Sequence, residues 1–148
     1  MDTGCIMTLA VKQETLISDL NLIHDPHERL TVVMSKSASR NLPDPFKTDE
    51  NRVPGCVSRV WLVGTHEHGT CRFHCAADSP MVMGLVALLC DLYSDATPDE
   101  VGIVEPEIWA RCGFDRMLSP TRMNGLKAVR ARIRELALKM QSSSPAAG

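Results

Sequence analysis

The sequence predicts a single α+β domain in which a small antiparallel sheet packs against several helices. Two observations carry this prediction: one strand–turn–strand pattern, and four dipeptides that pair a helix-capping side chain with proline. The length of 148 residues, with 44% hydrophobic and 23% charged content, matches one compact domain. We expect residues 13–140 to form it, after a flexible N-terminus (1–12) and before a disordered tail (141–148).

The capping dipeptides mark the helix starts. Asp, Ser or Thr at the N-cap accepts a hydrogen bond from a free backbone amide, and proline at the first helical position has no amide to leave unpaired. The four dipeptides are Asp25-Pro26, Ser79-Pro80, Thr97-Pro98 and Ser119-Pro120, with Glu105-Pro106 as a weaker fifth. Each one predicts that a helix begins at its proline.

The apolar pattern gives the extent of each helix. Residues 14–23 have apolar side chains on one face, as in a short amphipathic helix. Residues 81–93 are apolar nearly all round, which predicts a buried central helix that contains Cys90. Two short helices are expected within residues 98–112, and residues 120–140 form the longest helix.

A β-hairpin is predicted before the central helix. Residues 57–63 and 70–76 are strand-like and flank GTHEHG, which has a glycine at each end. Pairing about this six-residue turn puts Cys75 opposite Ser58. One face then carries Ser58, Val60, Leu62, Cys71, Phe73 and Cys75, and the other carries Arg59, Trp61, Arg72 and His74. A register error of one residue would exchange the faces.

Composition and motifs exclude several classes of protein. The longest apolar run is far shorter than the roughly 20 residues that cross a bilayer, and the N-terminus lacks the layout of a secretory signal. We therefore expect a soluble, cytoplasmic protein. The chain has no P-loop, dinucleotide-binding glycine motif or Gly-x-Ser-x-Gly motif, so nothing supports catalysis that depends on a bound nucleotide.

Charge is divided unequally along the chain, although the net charge is only −2. Residues 1–110 carry 8 Lys+Arg against 16 Asp+Glu, and residues 111–148 carry 8 against 2. The basic last helix has no interleaved aromatic side chains, and the protein is acidic overall. A solvated helix face or a docking surface is therefore favoured over a nucleic-acid interface.

The chain has six cysteines. A disulfide framework is disfavoured because a chain of this length buries a core unaided and no secretory signal is present. Five potential metal ligands cluster within ten residues: His66, His68, Cys71, His74 and Cys75. An extended strand separates Cys71 from Cys75 by about 13 Å, too far for two ligands of one zinc ion. We expect no metal site; a metal-binding or iron–sulfur scaffold module is the alternative function.

Cys56 differs from the other cysteines because it follows Pro54 and Gly55 in a turn before the first strand. Such a position can present a thiol at the end of an element. Lowering the pKa of a cysteine from ~8.5 to ~7 would raise its thiolate fraction about tenfold. Arg52, Arg59 or a distant arginine could do this, and a turn cysteine that merely packs is the structural alternative.

Two charged residues lie at predicted helix starts. Asp78 precedes the cap of the central helix, where the helix dipole favours a carboxylate, so a capping role alone would explain it. Arg122 lies in the first turn of the last helix, where the same dipole disfavours a cation. Arg122 therefore needs another partner, and Asp78 is a candidate.

Three segments in the same order and with similar spacing closely resemble the SufE family of cysteine desulfuration proteins. They are NRVPGCVSRVWL, ADSPMVMGLVALL and MLSPTRMNGLKAVRARIRELA. The resemblance covers about residues 13–140. It implies a small antiparallel sheet with helices packed on one side, a fold that the family shares with iron–sulfur scaffold proteins of the IscU type.

The resemblance implies that Cys56 accepts sulfur. In the family, a pyridoxal-phosphate cysteine desulfurase forms a persulfide, and the SufE-like thiolate takes the terminal sulfur and passes it to an iron–sulfur scaffold. The pyridoxal phosphate belongs to the partner, so no cofactor is expected here. The protein would be a persulfide-carrying sulfurtransferase partner that activates the desulfurase, as a monomer or homodimer. Asp78 and Arg122 match family residues near the active loop, which implies positioning roles.

A sulfur carrier must isolate its persulfide. A second thiol within reach would attack it, release sulfide and leave a disulfide. In the predicted register Cys75 lies opposite Ser58, two residues from Cys56. The resemblance breaks here, because the family lacks cysteines on this strand and more often has an acidic residue and a serine at Ala76 and Ala77. Whether Cys75 can reach Cys56 becomes a question of geometry.

Overall fold

A computed structural model describes residues 8–35, 42–55 and 58–143, without the side chains of 142 and 143. Within these residues the chain forms six α-helices and one two-stranded sheet. In chain order they are α1 (Leu9–Asn21), α2 (Pro26–Ser35), β1 (Val60–Glu67), β2 (Thr70–Ala77), α3 (Pro80–Tyr93), α4 (Pro98–Ile103), α5 (Ile108–Arg111) and α6 (Pro120–Ser143). This is the predicted α+β class. No helix in the described part is long and apolar enough to span a bilayer.

All four strong capping dipeptides start helices as predicted. Helices α2, α3, α4 and α6 each begin at the proline of their dipeptide. The Ser79 side chain accepts a hydrogen bond from the backbone amide of Val82 at the start of α3. At the start of α4, Thr97 and Glu100 form a capping box. Local capping chemistry was therefore sufficient to place these four starts.

Two helix starts differ from the prediction. Helix α1 begins at Leu9, which is buried, so residues 9–12 are helical and not part of a flexible terminus. The side chain of Thr8 caps this earlier start. Helix α5 begins at Ile108, two residues after the proline of the weak dipeptide. A contact from a distant helix explains the delay, because the Glu107 amide donates to Gln13 Oε1 at 2.7 Å.

The C-terminal boundary of the domain also differs from the prediction. Helix α6 continues to Ser143, so the first three residues of the predicted tail are helical. Residues 1–7 and 144–148 lie outside the described residues, and so does Cys5.

Helix α3 is the centre of the core, as its apolar sequence predicts. Every residue from Gly84 to Cys90 is buried, and the helix packs against β2, α1, α2 and α6. Helix α2 approaches α3 at Gly84, where an added Cβ would lie 2.8 Å from Met34 Cγ. Burying one large apolar side chain stabilises a fold by about 1.5–3 kcal/mol, so this helix supplies much of the driving force.

The hairpin has a two-residue turn and not the predicted six-residue turn. His68 and Gly69 have φ angles of 54° and 83°, as a type I′ turn requires. Both strands therefore continue through the predicted turn, and Cys75 pairs with Leu62 and not with Ser58. The register error is four residues, an even number, which leaves the side chains on their predicted faces. Val60, Leu62, Cys71, Phe73 and Cys75 are all buried in the core.

The opposite face of the hairpin is covered in part by residues 42–53. The Leu42 amide donates to Cys75 O at 2.9 Å, and the Val53 amide donates to Val60 O at 2.8 Å. Leu42 also packs with Trp61 in a small second apolar cluster. These contacts hold the chain that leads to Pro54 and Gly55 against the sheet.

Candidate functional site

Cys56 and Val57 lie outside the described residues, so the surroundings are defined by the residues on either side. Gly55 has a φ of 89°, a conformation that L side chains rarely adopt. It also lies against α6, because a Cβ added to Gly55 would be 3.4 Å from Ala128 Cβ. On the other side, Ser58 lines a cavity of about 130 Å³. The residues that flank the Cys56–Val57 pair thus contact α6 and this cavity.

This cavity, called the Ser58 cavity below, lies between the start of β1 and the first turns of α3 and α6. Its lining residues are Ser58, Val60, Val82, Ser119, Thr121, Arg122, Gly125, Leu126 and Val129. The wall is apolar apart from three hydroxyl groups and one guanidinium group. Small-molecule sites usually enclose about 300–1,000 Å³, so this volume fits the end of a side chain better than a cofactor or a substrate.

The electrostatics of the Ser58 cavity favour an anion. The N-terminal turns of α3 and α6 contribute Val82, Thr121 and Arg122 to its wall, and a helix N-terminus carries about half a positive charge. Arg122 Nη1 lies 3.5 Å from Met81 Sδ. Within the described residues no carboxylate pairs with Arg122. The arrangement can therefore stabilise a thiolate or persulfide anion.

Asp78 is paired with Arg59, so the candidate pair of Asp78 with Arg122 was wrong. Arg59 Nε lies 2.7 Å from Asp78 Oδ2, and the Asp78 amide donates to Arg59 O at 3.1 Å. The four-residue correction of the register explains this partner, because it sets Arg59 opposite Asp78 at the open end of the hairpin. The pair ties the residue next to Ser58 to the start of α3.

The cations proposed to activate Cys56 lie in different places. Arg59 is held by Asp78 and lies 5.5 Å from the Trp61 ring. Arg52 is exposed and its backbone bridges to Trp61. The distant arginine is Arg122, which lines the Ser58 cavity. Among Arg52, Arg59 and Arg122, only Arg122 lines the wall of the Ser58 cavity.

No disulfide joins the described cysteines, Cys71, Cys75, Cys90 and Cys112, and all four are buried. Burial raises the pKa of Cys71 to about 11, and burial also raises the pKa of Cys112. Such thiols are protonated at neutral pH and are poor nucleophiles. Cys75 lies opposite Leu62, roughly 13 Å further along the strand than its predicted partner Ser58. The observed register therefore places Cys75 four residues along the strand from Ser58.

The histidines and cysteines of the sequence cluster are divided between solvent and core. His66 and His68 are exposed, whereas Cys71 and Cys75 are buried. Across residues 8–35, 42–55 and 58–143, no group of three or more His, Cys, Asp or Glu side chains could hold a metal ion. No observation in this part of the chain favours the alternative of a metal-binding or scaffold module.

Sequence reasoning missed the apolar wall of the site. The apolar periodicity of α3 and α6 includes Val82, Leu126 and Val129, which line the cavity. Periodicity assigns such residues to the core, but it cannot tell a packed core position from the wall of a cavity. Sequence reasoning also missed the Thr121 hydroxyl group. The dipeptide Ser119-Pro120 was interpreted only as a helix start, so the next residue was not assigned a role. The signal that could have indicated the cavity is the serine–proline dipeptide at a helix start, followed by an arginine that the helix dipole disfavours.

Comparisons with known proteins bear on the whole domain. Residues 14–137 match the SufE family, described as an Fe-S metabolism associated domain. An uncharacterized SufE-like protein of Rhizobium etli is 34% identical over 128 residues, which cover 82% of this chain and 86% of that protein. The chloroplastic/mitochondrial SufE-like protein 1 of Arabidopsis thaliana is 30% identical over 127 residues, 84% of this chain but 34% of the plant protein.

The fold is also found among solved structures. The solution structure of a hypothetical protein from Thermus thermophilus superposes with a TM-score of 0.73 at 21% identity. The match covers 89% of this chain and 97% of the other. The two proteins therefore share their fold.

Proposed function

The chain belongs to the SufE family, and on that premise we propose that Cys56 accepts sulfur from a cysteine desulfurase and passes it to an iron–sulfur assembly scaffold. The family match places the protein in iron–sulfur metabolism. The observation that carries the finer proposal is the Ser58 cavity, where two helix N-termini and Arg122 lie beside Ser58, two residues after Cys56 in the sequence.

The proposed reaction is a thiol exchange. The Cys56 thiolate attacks the terminal sulfur of the desulfurase persulfide, the sulfur–sulfur bond of that persulfide breaks, and the desulfurase cysteine leaves as a thiolate. Cys56 then carries the persulfide, and no oxidant or reductant is consumed. The pyridoxal phosphate that releases sulfur from cysteine is supplied by the desulfurase, so this chain needs no cofactor for its own step.

Arg122 and Asp78 are assigned positioning roles in this reaction. Arg122 and the N-termini of α3 and α6 favour the anionic forms of the Cys56 sulfur. A free carboxylate next to the site would oppose this effect. Asp78 does not do so, because its charge is balanced by Arg59 at 2.7 Å. The same ion pair holds the start of β1 beside α3.

Isolation of the persulfide is the second requirement. The four described cysteines are buried, and the cavity volume of about 130 Å³ is enough to shelter a sulfur atom from solvent thiols. We expect Cys56 to be partly shielded in the free protein and exposed when the desulfurase docks. Alkylation of Cys56 should therefore be faster in the presence of the desulfurase, and equal rates would contradict the shielding.

The mass of the protein after reaction tests the assignment. The protein is incubated with a cysteine desulfurase and cysteine, and the wild type is expected to gain the mass of at least one sulfur atom. Cys56→Ser should gain none, whereas the matched control Cys75→Ser should behave as the wild type. An added sulfur that persists in Cys56→Ser would overturn the proposal.

A further inference from the structure

A second cavity, called the Trp109 cavity here, lies on the other side of α6. Its volume is about 490 Å³, and it is bounded by α5, residues 105–106 and one face of α6. The α6 residues in its wall include Met123, Lys127 and Arg130. At 3.6 residues per turn these residues face roughly opposite to the ones that line the Ser58 cavity. Neither the family match nor the proposed sulfur transfer uses this cavity.

Unpartnered polar atoms are concentrated in the wall of the Trp109 cavity. In the part of the chain that the structure describes, five buried side-chain nitrogen or oxygen atoms have no hydrogen-bond partner. Four of them belong to residues that line this cavity: Trp109 Nε1, Asp115 Oδ1, Arg130 Nε and Arg130 Nη1. Buried polar atoms in folded proteins are nearly always paired, so such a concentration requires a cause.

Arg130 is the centre of this group. It is only 6% exposed, which is rare for arginine. Its Nη2 donates to Val104 O at 3.0 Å, and its guanidinium group lies 4.8 Å from the Tyr93 ring. These contacts hold the guanidinium in place while two of its nitrogens stay unpaired. A buried, fixed guanidinium group with two nitrogens that lack a protein partner is suited to binding an anion.

The charges around the Trp109 cavity support the same conclusion. Lys127, Arg130 and Arg134 line it on successive turns of α6, against Glu105 and Asp115. Glu105 Oε2 forms an ion pair with Arg130 Nη2 at 3.5 Å, and because the Glu105 side chain is 71% exposed, solvent screens this pair in part. Three cations then face two carboxylates. The cavity therefore carries an excess of positive charge beside the apolar surface of α5.

We propose that the Trp109 cavity binds a small molecule with carboxylate or phosphate oxygens. The anionic oxygens would accept hydrogen bonds from Arg130 and from Trp109 Nε1, and Lys127 and Arg134 would add charge. Asp115 Oδ1 offers an acceptor for a donor group on the same ligand, such as an amino group. The volume of about 490 Å³ is within the range of small-molecule sites.

The two tryptophans provide a direct test. Trp61 and Trp109 are the only tryptophans of the chain, so a ¹⁵N-labelled sample gives two indole N–H signals, which Trp109→Phe assigns. The sample is titrated with sodium acetate, glycine or sodium phosphate, with ionic strength held constant by sodium chloride. The Trp109 signal is expected to shift and saturate with at least one probe, while the Trp61 signal stays in place.

Variants of the exposed cations make the test specific. Lys127→Gln and Arg134→Gln should keep the fold and raise the midpoint of the titration several-fold each. Lys139→Gln removes the same charge from a different face of α6 and should leave the midpoint unchanged. A shift that never saturates, or one that all three variants share with the wild type, would overturn the site. No shift with any probe would show that water alone fills the cavity, which also overturns the proposal. Sulfur transfer to Cys56 can be measured separately on the same samples.

Discussion

At the residue scale, the charge at the Ser58 cavity depends on how Asp78 is paired. The sequence indicated that the dipole of the last helix disfavours a cation at Arg122, so that another group must favour it. The candidate partner, Asp78, was wrong. The ion pair of Asp78 with Arg59 exists only in the observed register, which no local pattern reveals. The consequence is that, among the described residues, no carboxylate pairs with Arg122 at the Ser58 cavity.

The reactivity of Cys56 should therefore depend on Arg122. In a Cys5→Ser background, Arg122→Gln is expected to slow alkylation of Cys56 by iodoacetamide several-fold near pH 7, because fewer molecules carry the thiolate. Rates are measured by mass spectrometry across pH, and the midpoint of the profile should move to higher pH.

Arg116→Gln is the matched control for that measurement, because Arg116 is exposed and does not line the Ser58 cavity. It should leave the profile unchanged. Equal profiles for Arg122→Gln and Arg116→Gln would mean that Arg122 does not act on the thiolate.

The buried thiol of Cys71 should make stability depend on high pH. Folding raises the pKa of Cys71 from an ordinary 9.0 to about 11, so the folded state holds the proton more tightly. The resulting stability is present below pH 9 and is lost as the pH rises to 11. The loss is about 2 kcal/mol.

Urea unfolding of the wild type and Cys71→Ala at about pH 8 and pH 11 measures this loss. The two proteins should differ less in their free energy of unfolding at the higher pH. A difference that is the same at both pH values would contradict a buried, neutral Cys71.

At the scale of elements, helices were easier to predict than the hairpin. The helix starts depend on a cap and a proline that are adjacent in sequence, and four of them were placed correctly. The turn was misplaced because GTHEHG has glycine at both ends, while the chain in fact reverses at His68 and Gly69. A histidine with positive φ is uncommon, so His68 gave no sign of a turn. The pairing of the two strands along their whole length decided where the chain reverses. The assignment of side chains to the two faces of the hairpin was nevertheless correct, because side chains alternate between faces every second residue and the register error was an even number.

Gly64 shows how closely α6 crosses the hairpin. An added Cβ there would lie 2.9 Å from Phe73 Cε1 and 3.0 Å from Met140 Cε. Gly64→Ala is therefore expected to lower the free energy of unfolding by about 1–3 kcal/mol, since this overpacks the core.

Gly102→Ala is the control for the Gly64 substitution. Gly102 lies in α4 with no atom within 4 Å of an added Cβ, so alanine should raise stability there by about 0.5–1 kcal/mol. Urea denaturation measures both variants. A Gly64→Ala protein as stable as the wild type would show that α6 can move away from the sheet.

For the whole molecule, the sequence predicted the class and the single domain but not how α1 is attached. Gln13 is buried in α1, where the apolar pattern offers no role for it. The structure shows that its Nε2 donates to Glu105 O at 3.2 Å, and its Oε1 accepts from the Glu107 amide at 2.7 Å. Such a contact between residues more than ninety positions apart has no signature in a single sequence.

Replacing Gln13 should destabilise the whole domain. Gln13→Leu keeps the size of the side chain but removes the partner of the Glu105 carbonyl and of the Glu107 amide, at about 0.5–1.5 kcal/mol for each of these part-buried hydrogen bonds. Urea unfolding should show a loss of about 1–3 kcal/mol in total. The exposed Gln141→Leu should change the stability little. A loss below about 1 kcal/mol for Gln13→Leu would mean that water replaces both bonds.

The sequence separation between Gln13 and its partners also affects when this contact can form during synthesis of the chain. Gln13 leaves the ribosome early, yet the carbonyl it binds is 92 residues further on. At a rate of about 5–20 residues per second, translation needs roughly 5–20 s to supply that partner. The hairpin, whose strands are separated by two residues, can close within microseconds of its emergence. The first helix to be made is therefore among the last to be secured.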